Sequence, residues 1–118
     1  MNNCIVIIDD NKRQLDGYTK DIINPFSIEA KMKAFGFNTQ TVKGNDLDAI
    51  DEAITKAKSV TDSAVCIVLD TIKGQGVKFF EELLDNHSVK FNTEEVNRAT
   101  DEAKASIKKE IEEEEQHV

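Results

Sequence analysis

At 118 residues the chain has room for one domain of ordinary size, or part of one. Hydrophobic residues make up 39% and charged residues 32%, with no Trp and one Tyr, a soluble, polar composition that excludes a broad aromatic binding face. A formal net charge of −8 argues against a nucleic-acid partner, whose phosphates require Lys and Arg. Part of that charge lies in Glu112 to Glu115, a run that reads as a solvated terminus. No apolar run approaches the roughly 18 residues of a membrane span, and no signal peptide precedes Cys4. Cys4 and Cys66 both stand inside apolar runs and read as buried thiols, a usage suited to a reducing cytoplasm.

In chain order, the first apolar run, Cys4–Ile8, reads as a strand that ends in Asp9, Asp10 and Asn11. Its nearly continuous Val and Ile content predicts a parallel strand covered on both faces. A loop closed by Asp16 and Gly17 follows. Segment 26–35 places Phe26, Ile28, Met32 and Phe35 at helical spacing, with Gly36 as a C-terminal stop. A second strand is expected over Phe37–Val42. Segment 46–58 then carries Leu47, Ile50, Ile54 and Ala57 on one stripe, with Asn45 or Asp46 as the cap. The third strand, Ala64–Leu69, is again continuously apolar and runs into Asp70, Thr71 and the loop of Gly74 and Gly76.

Beyond it the pattern predicts a short helix near 77–84 and a long one opened by a capping box of Asn92 and Glu95. Val96, Ala99, Ala103, Ile107 and Ile111 give that long helix a thin apolar seam. The order β-α-β-α-β implies a parallel α/β sheet with helices on both faces and a long C-terminal helix. Three strands make a small sheet, so this is part of a larger one. The expected division is 1–92 for the partial α/β domain and 93–118 for the helix and acidic tail.

In open α/β sheets ligands gather at the carboxyl ends of strands. Asp9, Asp10 and Asn11 stand at one such end, and Asp70, Thr71 and the glycine loop at another. Each alone is also explained by the local turns that Asp and Asn favour. "IVIIDDN" and "CIVLDTIKGQG" superficially resemble a response-regulator receiver domain, with an acidic pair and a phosphoacceptor aspartate. Asp10 and Asp70 stand too far apart in sequence for that fold, and no later strand ends in the Ser/Thr or Lys that it requires.

A second resemblance covers nearly the whole chain. "IVIIDDNKRQLDG", "MKAFGFNTQTVKGNDLDAIDEAI", "CIVLDTIKGQGVKFFEE" and "NHSVKFNTEE" resemble, in order and spacing, the latter half of the thiamine-diphosphate-binding domain of transketolase. That resemblance implies a thiamine-diphosphate-binding fold and transfer of two-carbon ketol units between sugar phosphates. It implies Asn11 as a ligand, through its amide oxygen, of the Mg²⁺ or Ca²⁺ that bridges the diphosphate, and Arg13 as a second ligand through its carbonyl. Leu15 matches the apolar residue packed on the cofactor rings. Gly74 and Gly76 match a loop beside the cofactor, where a plain strand-to-helix turn explains them equally well. His87 matches a histidine near the reacting carbon, able to exchange protons with substrate hydroxyls.

The departures from the family are as informative as the matches. No Gly-Asp-Gly occurs, so the anionic metal ligand is missing, as is the domain that grips the aminopyrimidine. The expectation is therefore a transketolase fragment in a cytoplasmic pathway of sugar phosphates, inactive alone and completed by further subunits or segments in a homo- or hetero-oligomer. The alternative is a non-catalytic α/β module derived from it that dimerises through its open sheet edge.

Overall fold

A computed structural model describes residues 2–84, 86–90 and 93–116. Among them the elements run β1 (Ile5–Asp10), β2 (Arg13–Gln14), β3 (Gly17–Tyr18), α1 (Thr19–Ile22), α2 (Ile28–Ala34), β4 (Asn38–Lys43), α3 (Leu47–Ser59), β5 (Val65–Asp70), α4 (Lys78–Glu82) and α5 (Glu94–Glu115). The expected α/β class and the long C-terminal helix are both present. Two compact units divide the chain, Met1–Ile72 and Lys73–Val118.

The first unit holds a parallel sheet in the order β1-β5-β4. Its centre is β5, whose Val65, Cys66, Ile67 and Val68 are all buried. Side chains of paired residues share a face, so Ile5, Ile7, Val65, Ile67, Leu69, Gln40 and Val42 lie together. The core forms on that face, where Ala53 and Ala57 of α3 meet Val65 and Ile67, with Val42, Ile54, Val60 and Leu69 around them. Two alanines on the inward stripe let the helix approach the sheet closely. The Gln40 amide also donates to the Ala53 carbonyl at 3.0 Å.

Three expectations change here. The first strand is not covered on both faces: β1 is an edge strand on which Ile5 is 40% and Ile7 54% exposed. Its apolar sequence looks like that of β5, but α3 packs on β4 and β5. Cys4, expected to be buried, is half-buried just before β1, whereas Cys66 lies fully inside; both are free thiols. Burial pushes the Cys66 thiol above its ordinary pKa. Leu47, placed by periodicity on the inward stripe, is 79% exposed because it is the first residue of α3, where the capping turn leads away from the core.

Local signals set the helix ends. Asp46 caps α3 by accepting from Ala49 N–H at 2.9 Å, with Lys56 and Lys58 in the last turn. Asp46→Ala is expected to lower stability by about 0.5–2 kcal/mol in urea unfolding, whereas Asp46→Asn, which keeps the acceptor, changes it little. Ser27 caps α2 by accepting from Ala30 N–H at 3.0 Å. The predicted segment 26–35 is thereby trimmed, because Phe26 takes a left-handed φ of 51° before the cap. Phe26 and Phe35 are exposed, which leaves Ile28 and Met32 as the half-buried apolar residues of that helix region.

Glu29 ties α2 to the sheet: it accepts from Thr41 Oγ1 and from Lys33 Nζ, both at 2.5 Å. The Lys33 bond, then the Thr41 bond, hold its carboxyl below the usual glutamate range. A depressed carboxylate contributes stability above its unfolded pKa and loses it as pH falls through the folded value. The difference in thermal midpoint between the native chain and Glu29→Gln should therefore be present at pH 7 and shrink as pH falls from the ordinary glutamate range through the lower folded value.

In the second unit α4 packs on α5. The seam of α5 is buried only at Val96 and Ala99, while Ile107 and Ile111 are 53% and 52% exposed. The seam expected along the whole helix thus meets packing only over its first turns. Asn92, the expected cap, lies outside the described residues; Thr93 Oγ1 accepts from Val96 N–H at 3.3 Å. Among the described residues no helix is long and apolar enough to cross a membrane.

Candidate functional site

The carboxyl ends of the three parallel strands finish level, with Asp10, Asp70 and Lys43 in one register row. Immediately beyond β1 the chain turns through Asn11 and Lys12. Lys12 has a φ of 65°, a left-handed conformation that costs a non-glycine residue about 1–2 kcal/mol. Its ammonium bonds Asp70 Oδ1 at 2.6 Å and Asp10 Oδ2 at 3.1 Å, and also donates to the Asp10 carbonyl. Its own carbonyl accepts from Thr19 N–H at 3.0 Å and from Thr19 Oγ1 at 3.2 Å. Half-exposed ion pairs contribute only about 0–1 kcal/mol each, so it takes the set together to offset the backbone cost. Partial burial alone would lower the Lys12 pKa, but the bonds to Asp70 and Asp10 outweigh it and raise the pKa above the ordinary lysine value.

Asn11 is half-buried and fixed on both sides of its amide. Nδ2 donates to Asp9 Oδ2 at 3.1 Å, and Oδ1 accepts from Arg13 N–H at 3.0 Å. Asp9 in turn accepts through Oδ1 from the Thr71 hydroxyl at the end of β5. These linked bonds orient the amide, with its oxygen toward the Arg13 backbone. The Arg13 guanidinium lies 4.9 Å from the centre of the Tyr18 ring and donates to its hydroxyl at 3.3 Å. Between them the β2–β3 hairpin turns through Leu15 and Asp16, and Leu15 is 58% exposed.

Gly74, Gly76 and His87 belong to the second unit. Gly74 has a φ of +82°, and a Cβ there would stand 2.7 Å from Phe80 Cβ and 2.8 Å from its carbonyl carbon. Gly76 has a φ of +94° with open space where a Cβ would be, and its N–H donates to Glu81 Oε1 at 2.9 Å. His87 is exposed, with Nδ1 3.4 Å from Lys73 Nζ. Both residues line an open cleft of about 440 Å³ with Gly74, Phe80, Asn86, Ser88 and Val89. Asn86 Nδ2 donates to the Phe80 and Lys73 carbonyls at 2.7 and 3.3 Å, while its Oδ1 is buried with no partner among the described residues.

Asn11, Arg13 and Leu15 are thus gathered on one turn and hairpin, and Gly74 and His87 around one cleft. Sequence reasoning missed Lys12 and Gly44, and it placed Thr71 at a strand end without the bond to Asp9 that gives it its part in the tip. The only signal for Lys12 was a lysine beside an acidic pair, which is common on any surface. Gly44 N–H donates to the Asp70 carbonyl at 2.9 Å, and a Cβ at residue 44 would fall 2.0 Å from Thr71 Cγ2.

The family profile described as "Transketolase, thiamine diphosphate binding domain" matches residues 1–114. This chain belongs to the transketolase family. It is 40% identical over 111 residues to a 6-deoxy-6-sulfo-D-fructose transketolase subunit of Clostridium sp. (strain MSTE9), a match covering 93% of this chain and 38% of that protein. It is 32% identical over 104 residues to an apulose-4-phosphate transketolase subunit of Actinobacillus succinogenes, covering 88% and 37%. A transketolase of Nostoc sp. is 37% identical over 78 residues, covering 64% and 12%. The chain therefore spans under two fifths of the length of these transketolase relatives.

The donor set at the transketolase strand tip does not by itself fit a divalent cation. Mg²⁺ requires near-octahedral oxygen ligation with carboxylate or phosphate charge to offset its dehydration. Among the described residues no three His, Cys, Asp or Glu side chains are grouped to hold a metal. Asn11 Oδ1 already accepts one hydrogen bond, and Asp10 and Asp70 are engaged by Lys12.

Proposed function

We propose that this chain is the part of a transketolase that presents neutral oxygen donors to the cofactor's bridging metal, and that it transfers ketol units between sugar phosphates only when completed by further segments. The family match over residues 1–114 supports this reading together with the fixed amide of Asn11. In it residues 1–92 are the partial cofactor-binding domain and 93–118 the appended helix and tail. Asn11 contributes its amide oxygen and Arg13 its carbonyl, while Leu15 offers an exposed apolar surface to the cofactor rings. Gly74 and Gly76 shape the loop, and His87 orients a substrate hydroxyl. The anionic ligand and the pyrimidine-binding surface come from outside these residues. Two relatives are named as transketolase subunits, which favours completion by a separate chain.

One observation carries the prediction of inactivity: the only donors assigned to the metal are an amide and a carbonyl, and the nearby carboxylates are engaged by an internal ammonium. Isothermal titration of the 118-residue chain with thiamine diphosphate and Mg²⁺ should show no micromolar binding. Adding a transketolase segment that carries the missing Gly-Asp-Gly loop should produce it, and Asn11→Ala should abolish the gain. Micromolar binding by the chain alone would overturn the reading.

A further inference from the structure

We propose that Lys12 is a positioning residue for the Asn11–Arg13 turn, acting through its ammonium on the ends of β1 and β5. The proposal rests on the preceding reading only for what the turn is used for. Three observations carry it. First, among the described residues Lys12 and Phe26 are the non-glycine residues with positive φ, and Lys12 lies directly between the two residues assigned as donors. Second, it is tethered at both ends: the ammonium reaches Asp70 across the sheet and Asp10 behind it, and the carbonyl holds the start of α1 through Thr19. Third, the local bond that closes the turn, Arg13 N–H to Asn11 Oδ1 at 3.0 Å, spans the left-handed residue. A right-handed or extended residue 12 would carry Arg13 N–H away from that oxygen, because one backbone rotation redirects the whole following peptide.

The chemistry explains why a lysine serves. A glycine would adopt the same φ without cost, but it would leave Asp10 and Asp70, which face each other across paired strands, without this cation. The ammonium compensates those like charges and fixes the turn in one stroke. Thr71 and Asp9 hold the other half of the Asn11 amide, so the turn depends on Lys12 for its backbone and on the Asp9 bond for its side chain. Lys12 would touch neither cofactor nor substrate.

The test is amide hydrogen exchange and NMR on the full 118-residue chain without cofactor. Lys12→Met, which keeps the stem and removes the charge, should speed exchange at Arg13 and Thr19 by about tenfold relative to Ile67 and Val68. The Asn11 side-chain amide signals should move with it. Lys12→Arg should restore most of the protection, which a merely space-filling role would not require. If Lys12→Met fails to fold, Asp70→Asn, which removes the charge from the 2.6 Å partner, should give the same selective loss at Arg13. Unchanged Arg13 exchange in a folded Lys12→Met or Asp70→Asn chain would overturn the proposal. Failure of the completed protein to bind thiamine diphosphate would instead sink the proposed function and leave the exchange result standing.

Discussion

Gly44→Ala is expected to destabilise the chain by about 2–4 kcal/mol, read as a lowered urea midpoint at unchanged slope. The added methyl would stand 2.0 Å from Thr71 Cγ2, 3.2 Å from Leu69 Cβ and 3.3 Å from the Asp70 carbonyl oxygen. The last two contacts are relieved by shifts of a few tenths of an ångström. The first is not, because Thr71 is held on two sides: its hydroxyl donates to Asp9 and its N–H to the Asp10 carbonyl at 3.3 Å. Turning the side chain away would release Asp9 and with it the partner of the Asn11 amide. Thr71→Ser removes the offending methyl and keeps the hydroxyl. In that background Gly44→Ala should cost less than about 1 kcal/mol, a coupling that a double-mutant cycle measures directly. Equal penalties in the two backgrounds would place the cause elsewhere.

The second large effect is expected at the glycine loop. Gly74→Ala should lower the stability of the Lys73–Val118 unit by about 2–4 kcal/mol, and Gly76→Ala by only about 1–2. Both positions have positive φ, so both substitutions carry backbone strain. Only Gly74 also has backbone atoms in the way, with Phe80 C and O at 2.8 and 2.9 Å from the added Cβ. Phe80 lies within α4 and its carbonyl holds Asn86 at 2.7 Å, so moving it disturbs the cleft that contains His87. Amide exchange across residues 77–82 distinguishes the two variants. A Gly76→Ala chain as perturbed as Gly74→Ala would show that strain alone decides.

The glycines at 74 and 44 also mark how far the sequence could be read. At Gly74 the resemblance placed a glycine loop beside the cofactor, whereas the neighbour that excludes a side chain there is the following helix, at Phe80. At Gly44 the sequence offered a routine turn between a strand and a capped helix. Its reason lies in Thr71, which is distant in the chain and adjacent only because β4 and β5 pair in parallel register. The metal-facing role expected of Asn11 followed from resemblance; the bonds that fix its amide, to Asp9 and to Arg13 N–H, arise only in the folded turn.

The exposed face of β1 shows the same division. Continuous apolar composition in "CIVII" and "VCIVL" correctly marked both as strands of a parallel sheet. It could not tell the covered strand from the edge strand, because composition records the environment a strand suits and not the neighbours this chain supplies.

By itself, the sequence determined the three parallel strands and the longer helices in their order, though not the β2–β3 hairpin or α1: periodicity, caps and β-branched runs act over a few residues and need no distant partner. It also determined the family, since motif order survives without knowledge of contacts. Only the tertiary structure decided which strand is central, why residue 44 is glycine, and that a lysine ammonium bridges the carboxylates at the strand tips. Each of those depends on atoms from far-separated positions meeting within a few ångströms, a relation that pairing register creates and linear order does not contain.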